Sequence, residues 1–140
     1  MLRHLMFLIV AVLIFSAGYT KANAQRKLRV EIRDVVVREA TDNRIALEIS
    51  WKYVEQDNLF RRGEIMVIAV FVDSKGVERK GTNVIAVSHE ILPTSTKVVI
   101  NHEEQIVSPR DIKFVVTVTQ KASNAVAAKK EVRLRVSPTN

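Results

Sequence analysis

The stretch RIALEISWKYVE, residues 44–55, alternates along its length. Ile45, Leu47, Ile49, Trp51 and Tyr53 share one parity, with Glu48, Ser50 and Lys52 on the other. Successive side chains of an extended chain point to opposite faces, so this period of two makes a strand with an apolar side and a wet side. A helix would scatter the same residues around its axis. The apolar side must be laid on another layer, and the same demand recurs along the chain. In RKLRVEIR, Leu28, Val30 and Ile32 oppose Arg29, Glu31 and Arg33. DVVV then puts Val35 and Val37 on the wrong parity, which a bulge near Arg33-Asp34 repairs. Ile112, Phe114, Val116 and Val118 alternate with Lys113, Val115, Thr117 and Thr119, and Val132, Leu134 and Val136 alternate with Glu131, Arg133 and Arg135.

The segment 64–74, EIMVIAVFVDS, is apolar on both parities from Ile65 to Val72. Its β-branched content and the DSKG turn after it predict a strand running into a hairpin. Something must then cover the outer side of Met66, Ile68, Val70 and Val72: a loop such as DNLFRR or a partner chain. GVERK and NVIAVSHEIL, separated by Gly81, read as one bulged strand or two short ones. STKVVI follows Pro93, and Ser123-Asn124 marks the last turn. Gly63, Gly76 and Gly81 read as turn glycines. About seven strands with no amphipathic helix predict an all-β antiparallel sandwich, formed as a single domain over residues 25–140.

This pattern resembles the immunoglobulin-like class, most closely a fibronectin type III domain, over most of residues 27–137. Trp51 stands in the second strand, where that family has its core tryptophan. Val107-Ser108-Pro109 looks like the family's Leu-x-Pro before the sixth strand, and Phe114, Val116 and Val118 look like that strand. Ile112 or Phe114 takes the place of the tyrosine whose hydroxyl ties down the family's corner. The resemblance implies a binding or spacer module, found outside the cell and without catalysis.

The N-terminus sets the compartment. Arg3 and His4 precede an unbroken apolar run from Leu5 to Phe15, then small residues, then Ala22-Asn23-Ala24. That is the order of a secretory signal peptide, with Ala22 and Ala24 as the small residues of an A-x-A cleavage site and a mature chain of 116 residues from Gln25. The apolar run is short of the ~20 residues that span a bilayer. An uncleaved anchor is the rival reading, and only then would the chain contact a membrane. The chain has no cysteine, which excludes a disulfide framework, a thiol nucleophile, a Cys-based zinc site and a lipid-attachment cysteine. The absence of cysteines and of Asn-x-Ser/Thr sequons favours a bacterial exported protein, periplasmic or secreted.

Without Arg3 and Lys21, 20 basic residues stand against 15 acidic ones, a net charge of +5. This permits attraction to anionic envelope components without demanding it. Arg29 and Arg33 face outward on the first strand, and Arg133 and Arg135 on the last. If those strands lie side by side, the four arginines make one anion-gripping stripe; otherwise they protect sheet edges. Few aromatics and export from the cell argue against nucleic acid. Adjacent Ser88, His89 and Glu90 on a strand point to alternate faces and form no relay. His102, Glu103 or Glu104, and His89 lack a metal-ligand spacing and read as solvated loop residues. Neither catalysis nor a cofactor is expected. The expected function is a non-catalytic exported sandwich binding a protein or an envelope component. The apolar pair Leu59-Phe60 beside Arg61-Arg62 is its candidate anchor. A polyanion-binding protein and an N-terminally anchored domain of a membrane complex are the alternatives.

Overall fold

In the computed structural model residues 28–54, 62–88 and 90–139 are described, residue 62 by its backbone alone. The strands are β1 Val30–Ala40, β2 Arg44–Tyr53, β3 Arg62–Val72, β4 Glu78–Ser88, β5 Ser95–Asn101, β6 Arg110–Gln120 and β7 Ala125–Val136. One sheet runs β1-β2-β5 and the other β4-β3-β6-β7, with every pairing antiparallel. The molecule is an all-β sandwich.

The alternating residues fill the space between the sheets. Ile45, Leu47 and Ile49 of β2 face Ile65, Val67 and Phe71 of β3 and Phe114, Val116 and Val118 of β6 in one continuous core. Trp51 is buried in β2. The expected bulge is present: the β1–β2 register slips between Ile32 and Asp34, which returns Val35 to the core. A second slip, between Val37 and Glu39, was not legible in the sequence.

Gly81 and Gly63 do not sit in turns. β4 is one strand through Gly81 with no slip in its register to β3, and Gly63 lies inside β3. At Gly81 the β4 backbone closes on β5, and an added Cβ would lie 2.4 Å from the Val99 carbonyl oxygen. Close backbone approach is the other reason for a glycine within a strand. Beside it the Asn83 amide donates to Thr96 Oγ1 at 2.6 Å, sealing that side of the sandwich. Gly76 is a true turn glycine, with φ 78°.

The loop between β5 and β6 is anchored by Ile106, which is buried, whereas Val107 is 79% exposed. Ile106, not Val107, is therefore the residue of this loop that enters the core. Ile112 and Phe114 are buried and bring no hydroxyl to the corner. Instead Tyr53, at the end of β2, donates its hydroxyl to the Pro93 carbonyl at 2.6 Å. Burial pushes the Tyr53 phenol upward in pKa, against the pull of the neighbouring Trp51 indole.

Candidate functional site

The outer face of the four-stranded sheet is where apolar residues meet solvent. On β3, Met66, Ile68 and Val70 are half-buried and Val72 is 59% exposed. Their cross-strand neighbours include Val84 on β4 and Val115 on β6, which widen the strip. The DNLFRR loop, proposed above as its cover, lies outside the described residues.

The strip leads into a gap. The β3–β6 ladder runs from Ile65↔Gln120 to Val70↔Val115 and stops there. Yet β3 stays paired to β4 as far as Val72, and β6 stays paired to β7 back to Arg110. The two strands part around Phe71 and Phe114, whose rings pack edge to face with centroids 5.6 Å apart. A hollow of about 420 Å³ opens between them, lined by Val70, Phe71, Val72, Glu78, residues 110–113 and Val115.

The end of the gap is braced by two charged turns. Asp73, buried at the start of the β3–β4 turn, accepts hydrogen bonds from the Lys75 and Val77 amides at 2.9 and 2.8 Å and from Arg79 Nε at 3.1 Å. The Val77 amide, with Arg79 and Lys75 adding to it, holds the Asp73 carboxyl below the usual carboxylate range against the opposing pull of burial. Glu104 receives both ends of the Arg110 guanidinium at 3.1 and 2.6 Å, and the Ser74 amide at 2.9 Å. Burial pushes the Glu104 carboxyl up, but Arg110 and Ser74 together outweigh it and lower it. An aspartate that bonds amides two and four residues on follows from turn chemistry. No local spacing announces the Glu104–Arg110 pair.

His102 is not a solvated loop residue. It is 4% exposed, its Nδ1 accepts the Glu104 amide at 3.0 Å, and its ring packs edge to face on Phe71 at 5.9 Å. Nε2 is buried without a hydrogen-bond partner. Among the described residues no three His, Asp or Glu side chains are grouped to hold a metal; His89 lies outside them.

The four arginines are not brought onto one face. Arg29 and Arg33 point away from the core on the β1 sheet, while Arg133 and Arg135 point away from it on the β7 sheet, in the opposed direction. The strands do meet at the sandwich edge, where Lys130 Nζ donates to the Arg33 carbonyl at 3.3 Å. Arg33 is 3.7 Å from Glu31, and Arg135 is 3.5 Å from Asp111. Of the loop anchor, Leu59, Phe60 and Arg61 lie outside the described residues, and Arg62 opens β3 opposite Ser88. Ala22, Ala24 and the rest of the leader lie outside them too.

No protein-family model matches the chain, and no curated protein is significantly similar to it. Solved structures do resemble it. A glycosyl hydrolase family 2 member from Bacteroides cellulosilyticus aligns over 78% of this chain with 13% identity and a TM-score of 0.51. A Bacteroides uniformis beta-glucuronidase aligns over 77% with 10% identity and a TM-score of 0.45. The chain spans 15% of the length of the first and 13% of the second. At such identities the likeness is one of fold.

Proposed function

We propose that the chain is an exported, non-catalytic module of fibronectin type III-like build that binds another protein through the outer face of its four-stranded sheet. The observation that carries this is the aliphatic strip Met66, Ile68, Val70 and Val72, widened by Val84 and Val115, on a face where a solvated strand would present polar residues. The strand order supports the build. In a constant immunoglobulin domain the fourth strand joins the sheet of the first, second and fifth; here it joins that of the third, sixth and seventh. The leader-like N-terminus and the lack of cysteine support export to a bacterial extracytoplasmic compartment. His102 supports the absence of catalysis, since one ring nitrogen is engaged by backbone and the other is buried. The separation of the four arginines weighs against a polyanion-gripping stripe.

Two measurements test the reading. Fractionation of the native cell with an intact mass is expected to give a species beginning at Gln25 outside the cytoplasm. A full-length species in the membrane fraction would make the sandwich a tethered domain, and a cytoplasmic one would end the export reading. A photo-crosslinking residue at Val70 is expected to give discrete adducts in cells, and one at Lys52, exposed on the opposite sheet, is not. Equal labelling from both faces would overturn the assignment of the surface.

A further inference from the structure

We infer that the gap between β3 and β6 is a peptide site: it takes an extended segment carrying an aliphatic side chain next to a lysine or arginine. This rests on the outer-face reading and specifies the partner's chemistry.

Three observations carry it. The first is main chain. Strand addition needs backbone donors and acceptors that no neighbour uses. The outer edges are poor places for it: β1 is twice bulged, β7 sends Lys130 across to β1, and β4 and β5 close on each other at Gly81 and Asn83. Between Val70↔Val115 and the strand ends, β3 and β6 instead face each other without a ladder, each still paired to its other neighbour.

The second is shape. A hollow of about 420 Å³ is within the range of about 300–1,000 Å³ that encloses small ligands, so it suits a side chain and its flanking peptide units rather than a folded partner. Val70, Val72 and Val115 form aliphatic walls, and Phe71 reaches it from the core side.

The third is charge. Of the charged residues around the hollow, Arg110 is bound to Glu104 at 2.6 Å, Asp111 lies 3.5 Å from Arg135, and Lys113 lies 3.6 Å from Glu131. Glu78 alone has no ion pair among the described residues. Lys80, the next outward residue of β4, does not line the hollow. The rim therefore offers one exposed carboxylate without an ion-pair partner beside an apolar slot, which is complementary to a cation flanking an aliphatic residue.

The test uses the 15N-labelled protein in the form its host delivers. It is titrated with acetyl-Lys-Val-Lys-Val-Lys-Val-amide, with the Glu-Val analogue and with hexylamine. The lysine peptide is expected to shift amides of residues 70–73 and 110–115. Glu78→Gln should weaken it by roughly two- to five-fold, the scale of one exposed ion pair, and Glu78→Lys by more. Val115→Trp, which plugs the wall, should abolish the shifts; should it not fold, the Glu78 pair still decides. Equal binding of the acidic peptide, or indifference to Glu78→Lys, overturns the charge assignment, and equal shifts with hexylamine overturn main-chain recognition. If the peptide fails to bind while Val70 crosslinks persist, the slot falls and the outer-face reading stands; if both fail, both fall.

Discussion

Gly81 lacks a side chain because β5 occupies the space one would need. A methyl group there would meet the Val99 carbonyl oxygen at 2.4 Å and the Val99 carbonyl carbon at 2.8 Å, and backbone atoms in a paired strand cannot swing aside. Gly81→Ala is therefore expected to cost about 1–3 kcal/mol, as overpacking does. Urea denaturation would measure the loss, and amide exchange would place it, with β5 protection falling first. Gly76 is the contrast within the same molecule. A methyl there meets nothing within 4 Å, so Gly76→Ala carries only the cost of a left-handed backbone, about 1–2 kcal/mol, and should leave β5 protected. An unchanged β5 in Gly81→Ala would mean that the two sheets do not close at this side. The sequence showed both glycines equally plainly. Only the three-dimensional approach of β4 to β5 distinguishes them, because a turn glycine is announced by its neighbours and a contact glycine by residues far along the chain.

At the level of elements, the β3–β4 turn and the β5–β6 loop are bound to each other by charge. Asp73 orders its own turn through Lys75, Val77 and Arg79, and Glu104 joins the Ser74 amide to Arg110 at the start of β6. Both carboxyls are lowered on folding. In the unfolded chain they take up protons at roughly pH 4, but in the folded chain only at lower pH. Their contribution to stability is thus complete above roughly pH 4 and is lost as pH falls below it through the folded values. Denaturation midpoints should hold between roughly pH 7 and 5 and decline as pH falls below roughly 4. Asp73→Asn, which keeps the shape without the titration, should begin lower and decline less. A parallel decline in the variant would show that other carboxyls carry the acid sensitivity. The sequence made half of this legible. The Asp-Ser-Lys-Gly turn is local chemistry, whereas Glu104, in the connection that crosses from one sheet to the other, meets the Ser74 amide only through tertiary packing.

For the molecule as a whole, the fold was legible because its signal is repeated: parity in β1, β2, β6 and β7 was enough to require two packed sheets. The candidate site was not, because it arises where a ladder stops beside the packed rings of Phe71, Phe114 and His102, and no pattern within one strand marks that point. The arginine stripe failed for a related reason: first and last strands do meet, but from opposite sheets, so their outward residues diverge. What lies at their junction is Lys130. Its partner across the ladder is the buried Val116, so it occupies a core-facing position of an edge strand, yet it is exposed and its ammonium reaches the carbonyl of Arg33 at the first β1 bulge. Inward-pointing charge on an edge strand deters a second sheet from docking there, since docking would bury the charge. The protection comes from the lysine's charge as well as from its bond, so the two can be separated. Lys130→Val leaves the run Ala125–Val136 more apolar along an open edge, and the variant is expected to show larger species than the parent by light scattering as concentration rises. Lys130→Arg, which keeps the charge, should match the parent. If Lys130→Val stays as small as the parent at every concentration, β7 is guarded by its outward charges alone and the inward lysine is a local tie to the bulge.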